Sequence, residues 1–106
     1  MTSTEIREIP VGKRSLWEAF HVPTQSRIGA CFSKDGAETL IKAASMFVSL
    51  DNLTAEQAKA IKGGPELLEH WAGCYGLTKR TVTSRGDTMW FTEADLELLD
   101  GSHDRP

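Results

Sequence analysis

A chain of 106 residues, 40% hydrophobic and 25% charged, has room for one hydrophobic core and not for two, so a single globular domain is expected over residues 1–100, followed by a disordered tail at 101–106. The net charge of -3 argues against a protein that coats nucleic acid by bulk charge. No run approaches the roughly 18 apolar residues of a membrane span, and MTSTEIREIP lacks the basic, then apolar, layout of a secretory signal, so a cytoplasmic location away from membranes is expected.

Residues 1–12 read as an edge strand or extended arm: Ile9 and Val11 share a face, and Pro10 cannot donate to a ladder. Ser15 is placed to cap a short helix through His21, with Leu16 and Phe20 four apart on one side and Pro23 ending it. Residues 27–33 alternate as a strand, with Ile28, Ala30 and Phe32 on one face. Asp35 and Glu38 are spaced as a capping box, and Leu40, Ile41, Ala44, Phe47 and Val48 follow at helical spacing to about residue 50. Thr54 and Gln57 repeat the box for a second helix ending near Lys62, with Leu53 as a hydrophobic staple onto Ala58.

Gly63 and Gly64 close that helix, and Pro65 opens a third that runs to Tyr75 and buries Leu68, Trp71, Ala72 and Tyr75. Thr92 is placed to cap a last helix through Leu99, with Leu96 and Leu99 facing the core. The fold class that results is α+β: a compact single domain of three to five short helices with a small antiparallel sheet or wing hairpin.

Residues 67–92 concentrate the functional signal. Between 77 and 86 lie Lys79, Arg80 and Arg85 and no acid, whereas 87–106 hold six acids against Arg105 alone. Trp71, Ala72, Gly76, Leu77 and Val82 fall in the pattern W-A-x-x-x-G-L-T-K-R-T-V-T. Over about twenty residues this stretch resembles the helix-turn-helix of bacterial and phage repressors and excisionases. The resemblance implies a recognition helix capped by Thr78 and inserted in the major groove of double-stranded DNA, with Lys79, Arg80, Thr81, Thr83, Ser84 and Arg85 as its exposed contacts. Against a helix stands the β-branched run Thr81, Val82, Thr83, which favours a strand. A hairpin would pair Val82 with Met89 and Thr81 with Trp90 around a turn at Arg85 and Gly86.

Two functions are therefore carried forward. The first is a small helix-turn-helix transcriptional regulator without a cofactor, working as a homodimer because one short module buries little DNA surface. The second is an acidic protein-binding inhibitor or adaptor of mobile-element type, anti-CRISPR-like by analogy of size and charge alone. It would use Trp17, Trp90 and Phe91 as apolar anchors and Glu93, Asp95 and Glu97 as an acidic surface.

Catalysis is not expected. The cysteines Cys31 and Cys74 sit in no framework or nucleophile motif and read as free buried thiols, and His70 with Cys74 has ligand spacing without a second local pair, so no metal is expected. Acids at the start of the last helix are explained by the amide dipoles they meet there.

Overall fold

The protein is described by a computed structural model over residues 3–62, 64–81 and 88–100. Ten segments follow in order: β1 (Thr4–Val11), β2 (Arg14–His21), β3 (Ser26–Cys31), α1 (Lys34–Ser45), a 3-10 turn (Leu50–Asn52), α2 (Ala55–Lys62), α3 (Glu66–Cys74), β4 (Thr78–Thr81), β5 (Thr88–Phe91) and α4 (Glu93–Asp100). The strands form one sheet in the order β1-β2-β3-β5-β4. Pairing is antiparallel except between β3 and β5, which meet in parallel at Cys31 and Trp90. The α+β class holds, with four α-helices among the described residues. The sheet is larger than expected, and it is mixed.

The segment expected as a helix over 15–21 is strand β2. Leu16 and Phe20 are four apart, a spacing that shares a face in a helix and equally in a strand, so the pattern could not separate the two. Placement between β1 and β3 satisfies the backbone of β2 on both sides. The alternation expected in β3 also breaks: Ile28 packs in the cluster with Cys31, while Ala30 packs on the opposite side. The register shifts opposite Ala19 and Phe20, leaving Ile28 as the extra residue of a β-bulge.

The larger core lies between one sheet face and α1, α2 and α3, and includes Ile28, Leu40, Ile61, Leu68, Leu77 and Trp90. Close approach there depends on Gly29, where a Cβ would stand 2.3 Å from Leu40 Cδ2 and 3.0 Å from Trp90 Cδ1. A smaller cluster of Ala30, Met89 and Phe91 occupies the other face, with Leu16, Phe32 and Leu96 of α4 against it.

The starts of α1, α2 and α4 are set by side chains. Thr54 and Gln57 make the reciprocal box at α2, with bonds of 3.1 and 3.0 Å, and Thr92 makes the same box at α4, with Asp95 as partner, at 3.1 Å each way. The cap of α1 differs from expectation: it is Ser33, whose Oγ accepts from the Gly36 amide at 3.1 Å, and Asp35 lies inside the helix. That helix stops at Ser45, short of residue 50. Tyr75, expected in the core, is 37% exposed. The Leu99 side chain and the tail lie outside what the structure describes.

Candidate functional site

Thr78, Lys79, Arg80 and Thr81 form β4, an edge strand, paired to β5 as Thr78↔Phe91, Lys79↔Trp90, Arg80↔Met89 and Thr81↔Thr88. A recognition helix capped by Thr78 is thus corrected to a strand over these four residues. Phe91, Met89 and the parallel contact of Trp90 with Cys31 give β5 a fixed place, and the neighbouring backbone completes its ladder on it. The pairing is displaced by two residues from the hairpin expected in the sequence. A two-residue shift preserves which face each side chain takes. Thr83, Ser84 and Arg85 lie outside the described residues.

Within β4 the cations are not equivalent. Lys79 lies on the helix side of the sheet, where its Nζ donates to the Gly64 carbonyl oxygen at 2.9 Å and pairs with Glu69 at 3.3 Å. It therefore ties β4 to the start of α3. Thr78 and Arg80 are exposed on the opposite face. The turn expected at Gly76 is present, with φ at 89°, and Leu77 after it is buried.

The residues proposed as protein-binding anchors divide sharply. Trp90 is 1% exposed and Phe91 0%, so neither ring presents surface to a partner. Trp17 is partly buried, packed against the larger core. Asp95 is buried and engaged within the fold: its Oδ2 accepts from the Thr92 amide at 3.1 Å and from the Ser33 hydroxyl at 3.2 Å. Glu93 and Glu97 remain exposed.

The cysteines are both unpaired, and Cys74 is exposed rather than buried as expected. Burial pushes the Cys31 thiol up to about 12, and the nearby Asp95 carboxylate adds to the effect. Such a thiol carries almost no thiolate at neutral pH and is a poor nucleophile. His70 Nε2 stands 4.0 Å from Cys74 Sγ on α3. Among the described residues no group of three His, Cys, Asp or Glu side chains is placed to hold a metal ion. Buried His21 bonds Thr24 Oγ1 and the Leu50 carbonyl oxygen, both at 2.6 Å, and so anchors the 3-10 turn to the sheet.

A feature missed in the sequence is an apolar groove of about 410 Å³ where the end of α1 meets α2 and α3. Phe47, Val48, Ala60, Ile61, Pro65 and Leu67 line it, with Gln57 and Glu66 at its polar rim. Leu67 is 57% exposed, and neighbouring Met46 is 45% exposed. The available signal was angular: with Leu68, Trp71 and Ala72 defining the core stripe of α3, Leu67 falls about 100° to its side. Leucine off the stripe has no core to enter.

Comparison of the chain with protein-family models, with curated proteins and with solved structures gave no significant match. Among the described residues no helix is long and apolar enough to cross a membrane.

Proposed function

We propose that the protein is a protein-binding module that receives an apolar side chain of a partner in the groove between α1, α2 and α3. The observation that carries this reading is Leu67, a large aliphatic residue 57% exposed at the lip of a concave apolar surface. Concave apolar surface with a polar rim is the usual form of a site that takes an anchor residue. The anionic surface offered by Glu93 and Glu97 of α4 is separate, and supplies steering toward a basic partner rather than the anchor contact.

The test is selection of binding peptides from a displayed library against the wild-type protein, followed by NMR mapping. Selected peptides are expected to carry one large apolar residue, to move the methyl resonances of Val48, Ile61 and Leu67, and to lose binding to Leu67→Glu. Because Leu67 is outside the core, that variant should keep its fold. Peptides that bind Leu67→Glu as well as wild type, or a library that yields none, would remove the groove from consideration.

DNA binding is the second reading, and the exposed pair Thr78 and Arg80 on an edge strand supports it in a changed form, as a β-ribbon rather than a helix in the groove. It is the weaker of the two because Lys79 is already engaged by Gly64 and Glu69. A mobility shift on duplex DNA that falls steeply with salt and weakens in Arg80→Ala would favour it over the groove.

A further inference from the structure

We propose that the outer edge of β1 pairs with β1 of a second copy of this chain about a two-fold axis through Ile6, joining two five-stranded sheets into one. Among the described residues no strand pairs with that edge, since β1 ends the sheet.

The backbone decides which residues can take part. Val22 donates its amide to the Ser3 carbonyl at 2.9 Å, and along an antiparallel ladder such bonded positions alternate. Residues 5, 7, 9 and 11 therefore direct their backbone groups to β2, and Thr4, Ile6, Glu8 and Pro10 direct theirs outward. The tight connection from Val11 to Arg14 agrees: Gly12 has φ of 64° and Lys13 is not in that region, the pattern of a type II′ turn, which closes a two-residue hairpin on a bonded pair. Pro10 thus removes a donor from the outer edge alone, and ends the usable edge at Ile9.

A charged edge strand with a proline ordinarily guards against pairing. Here the same features favour one register. An axis through Ile6 sets Glu5 opposite Arg7 of the second copy and Arg7 opposite Glu5 of the second copy, while Thr4 faces Glu8. All outward residues from Thr4 to Glu8 then meet outward residues, giving about six ladder hydrogen bonds. An axis through Glu5, Arg7 or Glu8 sets like charges against each other at the centre, and the last two also bring Pro10 into a bonded pair. An axis between two residues would oppose side chains on different faces of the pleat.

The charges are already arranged for the favoured register. Arg7 Nε lies 2.8 Å from Glu5 Oε1 along its own strand, and its guanidinium stacks 3.6 Å over the Phe20 ring, which holds it on the sheet face. In the pair, two Glu5 and two Arg7 side chains alternate around a square. On the helix side Ile6, already packed against the larger core, meets Ile6 of the second copy on the axis.

The test is sedimentation velocity of the full chain over a concentration series, with the variants Glu5→Arg and Arg7→Glu. The wild type is expected to pass from monomer to dimer mass as concentration rises. Each variant alone places like charges opposite each other twice and should stay monomeric, but an equimolar mixture restores two opposite-charge pairs and should dimerise. Circular dichroism checks the fold, and Glu8→Pro, which removes an outward amide together with the exposed carboxylate that accepts from Ser15 Oγ, is a second variant expected to remain monomeric if Arg7→Glu does not fold. Leu67→Glu should dimerise as wild type does, which separates this surface from the groove. A wild type monomeric at every concentration, single-charge variants that dimerise normally, or a mixture of folded variants that stays monomeric would each overturn the proposal.

Discussion

Ser33 donates its hydroxyl to the Asp95 carboxylate at 3.2 Å across 62 positions of sequence, and each residue caps or completes the cap of a different helix. Ser33 Oγ also accepts from Gly36 at the start of α1, and Asp95 Oδ2 accepts from the Thr92 amide at the start of α4. The two helices lie against opposite faces of the sheet, so this contact joins both layers at the end where β3 leaves it.

Asp95→Ala should therefore cost more than the loss of an ordinary cap. It removes the acceptor for the Thr92 amide and for the Ser33 hydroxyl together, in a part-buried setting, and the expected loss is about 2–3 kcal/mol. Gln57→Ala, at the exposed box of α2, should cost about 0.5–1 kcal/mol. Urea unfolding of both variants beside wild type measures the difference, and equal midpoints would contradict the joined-cap account.

Cys31 sets a limit at alkaline pH. Its folded-state value is raised to about 12 from 9.0, so the native state holds its proton after the unfolded chain has released it. Below pH 9 this thiol adds no pH dependence; from about 9 toward 12 the unfolded state binds fewer protons, and stability falls as pH rises. Cys31→Ala should be less stable at neutral pH but should show a shallower decline over that interval. In native protein, alkylation at neutral pH should label exposed Cys74 and reach Cys31 only on unfolding.

Gly29 is expected to reject even alanine. The added Cβ meets Leu40 Cδ2 at 2.3 Å, with the Trp90 ring at 3.0 Å limiting retreat, so Gly29→Ala should destabilise by about 1–3 kcal/mol. A thermal midpoint unchanged from wild type would show that Leu40 can move aside without loss.

Trp90 carries the contact between the N-terminal strands and the β4–β5 pair, through its parallel register with Cys31. Trp90→Ala should cost about 3–5 kcal/mol. It should also free Lys79, whose position opposite Trp90 holds it near Gly64 and Glu69, and 15N-detected NMR of the lysine ammonium would report that release.

Local features were legible where chemistry between near neighbours decides. Thr54 with Gln57 reads directly as a helix start, as does Thr92, because the bonds close within three residues. The α3 stripe of Leu68 and Ala72 and the turn at Gly76 were likewise plain. β2 and β4 were not. Leu16 and Phe20 fit either period, and the residues from Thr78 fit a recognition helix by pattern and a strand by β-branching, so local preference was balanced in both segments.

By itself, then, the sequence determined a single α+β core, the starts of α2 and α4, and the basic cluster at Lys79 and Arg80. Tertiary structure decided that this cluster lies on an edge strand, that Trp90 and Phe91 belong to the core, that Leu67 stands outside it, and that β1 presents Thr4, Ile6 and Glu8 at the outer edge of the sheet. The physical reason is common to these: strand identity, burial and edge exposure depend on which distant backbone supplies the missing hydrogen bonds and which distant side chains exclude water. Neither can be read from spacing along one chain.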